Sequence, residues 1–292
     1  MFPIGAVERD TGIARDTLRI WERRYGFPVP ERNVKGERIY SENQVRILQL
    51  IKRLLDQGVR PGKVVGLEEA ELNTIAQTFV KEPDKPSEMN PQLQKLVACV
   101  ASHDSNQLWL LLEEALIRQG LKAFIMETVA PLIYHVGEKW AIGDINVFEE
   151  HFVTRQLTLF LDSIISKIPV KSAQPPVLLA TLPGESHSLG LIMLESLLRD
   201  QGIKVVNLGT EVPMDQLIMA CQRYQVGAIL LSFSGAYNSN AIRKELIDLA
   251  ERLSDEIPIY VGGSGVKRMR KLPPQVKIKN DLSEITEINF QR

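Results

Sequence analysis

Cysteine is scarce, with two in 292 residues. Cys99 and Cys221 fall in different expected domains and show no metal-ligand spacing. That argues against a disulfide framework and a cysteine-built zinc site, and both are expected as buried free thiols. Long apolar runs are missing too, since none approaches the roughly 20 residues that a membrane-spanning helix needs. The N-terminal stretch places Glu8, Arg9 and Asp10 too early to leave room for the apolar core of a secretory signal. A cytoplasmic location is the resulting expectation. The composition has neither the glycine period of collagen nor the polar bias of disordered chains. A globular chain with room for two or three domains is what remains.

A strong net charge is also lacking, the formal value being −1, but the balance is uneven along the chain. Residues 1–64 hold 13 basic and 8 acidic side chains, and the rest of the chain holds 22 and 28. A basic head on an acidic body implies that the head meets a polyanion. Ile4 to Glu8 reads as a short helix, Thr11-Gly12 as a tight turn, and Ala14 to Arg24 as a second helix. Two short helices about a glycine-containing turn outline a helix-turn-helix. Arg15, Asp16, Thr17 and Arg19 lie near the start of the second helix, where a recognition helix reaches bases or phosphates. Leu18, Ile20 and Trp21 are left for its inward face. Pro30 to Ser41 has hairpin character around Lys35-Gly36. It brings Arg32 and Arg38 for phosphates and Tyr40 for sugar edges, the needs of a DNA-binding wing. Ser41 and Gln44 form a capping-box pair before the helical run from Val45 to Ile51.

The string Thr17-Leu18-Arg19-Ile20-Trp21-Glu22-Arg23-Arg24-Tyr25-Gly26, followed by Arg32 and Arg38-x-Tyr40-Ser41, closely resembles the winged-helix head of the MerR family. The resemblance covers about the first 75 residues and implies binding to double-stranded DNA operators as pairs of heads. MerR-like proteins commonly join their heads through a long coiled coil, and this chain departs from that plan. Pro61 to Val80 makes only short helical patterns, and Lys81 to Ser87 is rich in proline and charge. Pairing is therefore expected from the C-terminal part.

From Pro91 to about Ile168 apolar residues recur at helical spacing, as Leu93, Leu96, Val97 and Val100 show. Four helices are expected here as an antiparallel bundle, the third with a kink at Pro131. Trp140 ends that third helix, and Glu150-His151 lies near the start of the fourth. The connecting hairpin is expected to bring them to one end of the bundle, where an indole beside a carboxylate and an imidazole can cover a ligand. Taken singly, a core tryptophan and an exposed charged pair is the commoner arrangement.

From Pro176 apolar strands and helices alternate, the pattern of a doubly wound parallel sheet. The first strand, Val177 to Leu182, runs into Gly184-Glu185-Ser186-His187-Ser188-Leu189-Gly190 and then into a helix. Open sheets of this kind hold ligands at the carboxyl ends of their strands. Gly209 to Pro213, Ser232 to Gly235 and Gly262 to Gly265 lie at the other strand ends. Small and polar residues along one edge suit a flat macrocycle with a nucleotide tail, and equally a phosphate-bearing ligand.

Glu185-x-His187-x-x-Gly190 resembles the Asp/Glu-x-His-x-x-Gly signature of cobalamin-binding domains. In that family the histidine ligates cobalt from below and the acid tunes it. The family's Ser-x-Leu and Gly-Gly elements resemble Ser232-Phe233-Ser234 and Gly262-Gly263, with Ser234 replacing the leucine. Trp140, nine residues, then Glu150-His151 resembles the Trp-x9-Glu-His motif of CarH-type cobalamin photoreceptors. That resemblance implies that Trp140 and Glu150 contact the upper 5′-deoxyadenosyl group, and that His151 takes the upper cobalt position in the light-adapted state.

The expected architecture is multidomain α and α/β. A winged helix-turn-helix head spans 1–80, a linker 81–90, a four-helix bundle 91–170, and a Rossmann-like cobalamin-binding domain 171–292. The implied function is a light-responsive repressor, a homo-oligomer (dimer or tetramer by state) with 5′-deoxyadenosylcobalamin as chromophore and cobalt as its metal. A regulator of the same build that is cobalamin-independent, or that senses a cofactor without light-driven assembly, is the alternative. An enzyme using the bundle and sheet as a cobalamin module would need a substrate barrel, and no span remains to build one.

Overall fold

The structure is a computed structural model. It describes residues 1–56, 59–80, 90–141, 144–169, 173–235, 239–267 and 269–290. The expected linker, apart from Asn90, lies outside the described residues. Two compact units form: residues 1–85 with 136–147, and residues 86–135 with 148–292.

In the first unit β1 (Phe2–Pro3) leads into α1 (Ile4–Thr11) and α2 (Arg15–Tyr25). Gly12 stops α1 in the left-handed region at φ 68°, and its N–H donates to the Glu8 carbonyl, a stop that glycine makes without strain. The hairpin follows as β2 (Glu31–Arg32) and β3 (Arg38–Tyr40), with strand order β1-β3-β2, all antiparallel. Asn33 builds its turn, the side-chain oxygen accepting from the Lys35 and Glu37 N–H groups. Next come α3 (Glu42–Asp56), a short 3₁₀ turn at Pro61–Lys63 and α4 (Glu69–Val80). Ser41 caps α3 by accepting from the Gln44 N–H at 3.2 Å. The Gln44 side chain does not return to Ser41 as a capping box would; it donates to the Val29 carbonyl at 2.7 Å and ties the wing to the helix.

Val7, Leu18, Trp21, Leu48, Ile51, Leu54, Val64 and Leu72 form this unit's core. Two expectations are corrected here. Ile20 is 47% exposed rather than inward, because Leu18 and Trp21, three apart, already take the face toward α1 and α3. Tyr40 is fully buried in the same core. Alternation along β3 turns it inward, so it packs the head instead of meeting sugar edges.

The second unit begins with α5 (Pro91–Ala101) and α6 (Ser105–Gln119), capped by Asn90 and Asp104 side chains. The third helix of the bundle comes in pieces: α7 (Leu121–Phe124), a wide π turn (Ile125–Val129) and α8 (Ala130–Ala141). The wide turn stands where the Pro131 ring would otherwise collide with the carbonyl four residues back, so the disturbance expected at the proline falls just before it. From Val136 onward α8 belongs to the first unit. The bundle continues with α9 (Val147–Ile165). Phe124, Leu132, Val153, Leu157, Phe160 and Leu161 pack its interior.

The sheet consists of β4 (Val177–Ala180), β5 (Val205–Asn207), β6 (Ala228–Ser232), β7 (Ile259–Gly262) and β8 (Val276–Ile278). All pairs are parallel and the order is β5-β4-β6-β7-β8. Helices α10 (Leu189–Asp200), α11 (Met214–Tyr224), α12 (Ser239–Arg252) and α13 (Leu282–Thr286) complete the layers. Leu178, Ala180, Ile229, Leu231 and Val261 face α11 and α12. Val177, Leu179, Leu230 and Tyr260 pack with α10 and Ile285. Burial on both faces is why these strands read as unbroken apolar runs. Helix α10 also packs against α7 of the bundle. No helix among the described residues is long and apolar enough to cross a membrane.

Candidate functional site

After β4 the chain crosses to β5 on one side, then returns to β6 on the other, so β4 and β6 flank the sheet's switch point. Ligands of open α/β sheets bind at that crevice. The Glu185–His187 loop leaves β4 there, and Ser232–Gly235 leaves β6. The structure joins the two. Glu185 is 1% exposed, and its carboxylate accepts from His187 Nδ1 at 2.5 Å, the His187 N–H at 3.1 Å and the Ser234 N–H at 2.6 Å. Burial pushes the Glu185 carboxyl up, but hydrogen bonds from His187 and Ser234 outweigh it and hold the carboxyl below its usual value. A buried carboxylate here is therefore an anion.

An ionised carboxylate can only accept, so His187 carries a hydrogen on Nδ1, and in the neutral ring the lone pair is then on Nε2. The His187 side chain is 64% exposed, which leaves the imidazole reachable by a ligand. A histidine oriented by a buried carboxylate is the arrangement that metal-binding imidazoles use. The donor set therefore fits a cobalt-bearing ligand.

Supporting residues escaped the sequence reading. Thr181, fully buried at the end of β4, donates to the Glu185 carbonyl at 2.5 Å and accepts from the Glu211 N–H at 2.9 Å. Glu211, at φ 57°, accepts from the Gly184 N–H at 3.3 Å. Together they brace the histidine loop against the loop after β5. A polar residue closing an apolar strand was the one available signal. Glycines make the remaining close approaches. A Cβ on Gly263 would lie 2.2 Å from the Phe233 carbonyl oxygen, and one on Gly265 would lie 2.4 Å from that of Ser234. The two loops touch backbone to backbone, so Gly263 and Gly265 serve loop packing before any ligand arrives. Gly190 approaches Ser232 similarly, its Cβ position being 3.1 Å from the Ser232 hydroxyl. Gly262 has ordinary space around it.

Glu150 and His151 are brought together, His151 Nδ1 lying 2.9 Å from Glu150 Oε2 while Thr154 donates to Oε1 at 2.7 Å. His151 is 74% exposed. Phe148 stacks on His103 at 5.3 Å between ring centroids, and buried Glu149 lies 3.7 Å from the His103 ring nitrogen. Trp140 belongs to the first unit, where its indole lies under the Arg53 guanidinium.

On the head Arg15 and Arg19 are exposed at the start of α2, paired with Glu8 at 2.5 Å and Asp16 at 2.9 Å. Thr17 between them is half-buried. In the hairpin the Arg32 guanidinium donates to the Gly36 carbonyl at 2.7 Å. Arg38 is partly buried and paired with Glu22 at 2.9 Å, fastening the hairpin to α2. Cys99 and Cys221 are buried and unpaired.

A helix-turn-helix head with a hairpin wing, a helical bundle, and a parallel sheet bearing an acid–histidine loop define a DNA-binding regulator with a corrinoid-type module. Comparison with known proteins agrees. Residues 2–71 match the MerR HTH family of regulatory proteins, and residues 92–164 and 175–276 each match a B12 binding domain. The chain is 31% identical to the HTH-type transcriptional repressor CarH of Myxococcus xanthus, over 88% of this chain and 86% of that protein. It is 28% identical to the repressor CarA of the same organism, over 92% and 88%. A monomethylamine corrinoid protein from Methanosarcina barkeri shares the fold at TM-score 0.51 and 16% identity, covering 68% of this chain and 97% of the other. The chain belongs to the CarH family of MerR-type transcriptional regulators with B12-binding domains.

Proposed function

We propose that this regulator is a light-responsive repressor with 5′-deoxyadenosylcobalamin as its chromophore. The observation that carries the reading is His187 held on buried Glu185, in the loop that leaves β4 at the switch point. Similarity to two named repressors supports the direction of control. When bound, 5′-deoxyadenosylcobalamin supplies a cobalt–carbon bond that light breaks. His187 would ligate the cobalt, and Glu185 would keep the proton on the opposite ring nitrogen. Gly190, Ser232, Ser234, Gly262 and Gly263 line the slot for the nucleotide tail. Trp140 and Glu150 would contact the adenosyl group, and His151 would supply a second cobalt ligand in the light-adapted state.

Arg15, Thr17, Arg19, Arg32 and Arg38 engage the operator, Arg38 being braced by Glu22. In the dark, subunits associate and several heads bind at once, raising affinity through effective concentration. Illumination removes both assembly and DNA binding. The working domains in this reading are 1–80, 91–170 and 171–292, with 81–90 as the linker between the first two.

The test combines absorption spectra with sizing, in the dark and after green light, on protein mixed with the cofactor. A bound corrin spectrum that changes on illumination together with a change in assembly size is expected. His187→Ala should bind at least tenfold more weakly, by about the loss of one metal ligand or its orienting partner. His151→Ala should bind normally in the dark and give a different light-state spectrum. Unchanged binding in His187→Ala would remove the central claim, and a bound spectrum without a size change would remove light-driven assembly.

A further inference from the structure

Helix α8 ends in a contact that neither the DNA reading nor the cofactor reading uses. Arg53, on α3, is 8% exposed, although a buried arginine ordinarily has an acid beside it. None of the described residues pairs its guanidinium in an ion pair, and its Nε is buried without a hydrogen-bond partner. Burial pulls its pKa below the ordinary arginine value. The guanidinium carbon lies 5.7 Å from the centroid of the Trp140 ring. The indole Nε1 is buried as well, and it too has no acceptor.

Two adjacent donors without acceptors make a costly arrangement, and a cation over the ring face offsets it only in part. A ligand that brings an acceptor to the indole N–H would satisfy one donor and let Arg53 regain water. We propose that Arg53 is an autoinhibitory latch on Trp140, competing in the cofactor-free protein with the ligand group that Trp140 receives. The ligand class is a flat, hydrogen-bond-accepting ring such as a purine. This inference rests on the reading of Trp140 as a cofactor residue. Coupling is reciprocal, so a ligand that takes the indole also releases α3 of the head from it.

The test is a dark titration of the full chain with 5′-deoxyadenosylcobalamin, without DNA, followed by absorbance. Arg53→Met keeps an apolar stem and removes the charge, and Arg53→Gln is a second neutral variant. Either should bind about two- to thirty-fold tighter than wild type, the loss of one cation–π contact from the unliganded state. Arg53→Lys keeps a cation and should stay near wild type. In the cofactor-free protein, the Trp140 fluorescence is the difference between each protein and its Trp140→Phe counterpart. It should become more accessible to acrylamide in the neutral variants. Equal or weaker binding by folded neutral variants overturns the latch and leaves the cobalamin reading standing. No binding by any protein, wild type included, overturns both.

Discussion

Glu185→Gln probes the candidate site at its most buried point. Wild-type Glu185 accepts three hydrogen bonds, two from His187 and one from the Ser234 backbone at 2.6 Å. Glutamine has nearly the same shape but offers one acceptor oxygen and one NH₂. If the NH₂ faces Ser234, two donors meet and the Ser234 N–H loses its acceptor. If it faces His187, Nδ1 must become an acceptor and the ring proton moves to Nε2, the nitrogen that should ligate cobalt. Either route forfeits at least one hydrogen bond to a charged group, about 1.5–3 kcal/mol. As affinity, that is roughly ten- to 150-fold weaker cobalamin binding through His187. The assay is an absorbance titration in the dark near neutral pH, with the spectrum reporting imidazole or water below cobalt. Thermal unfolding monitored by circular dichroism confirms that the variant is folded. Wild-type affinity together with a wild-type spectrum in folded Glu185→Gln would refute the assignment of the dyad.

Tyr40→Phe removes a buried hydroxyl that has no hydrogen-bond partner, so stability should hold within about 1 kcal/mol or rise, with operator binding unchanged. A selective loss of DNA affinity in a stable Tyr40→Phe protein would return Tyr40 to the interface. Arg19→Ala, at an exposed position, should weaken operator binding and lower the salt dependence of log K by about one phosphate contact; an unchanged salt slope would take Arg19 off the DNA. Burial pushes the Cys221 thiol up to about 11, which leaves roughly a hundredfold less thiolate than a free thiol at mildly alkaline pH. Iodoacetamide should therefore label Cys221 readily only after unfolding, and rapid labelling of the native protein would contradict its burial.

Much of this molecule was legible because the signals are local. Gly12 stops α1 through its own backbone conformation, Asn33 builds its turn from neighbouring N–H groups, and β4 reads as apolar because both its faces are covered. The His187–Glu185 bond also joins residues two apart, so spacing alone carries it. The tertiary structure decided everything that depends on a distant neighbour. The Ser234 N–H that completes the Glu185 site comes from 49 residues away. Periodicity shows that α2 and β3 each have two faces, but only the packed head shows that Ile20 stays out and Tyr40 goes in. Arg38 reads as a charge for phosphate, and only the packed head shows Glu22, 16 residues earlier, beside it. Gly263 reads as one of several small residues at the strand ends, and only the fold shows the Phe233 carbonyl that a Cβ there would strike. Trp140 meets Arg53 from a different part of the chain, a pairing that no spacing encodes. Sequence patterns report which side of an element is apolar, whereas the identity of the partner is set by how separate elements pack.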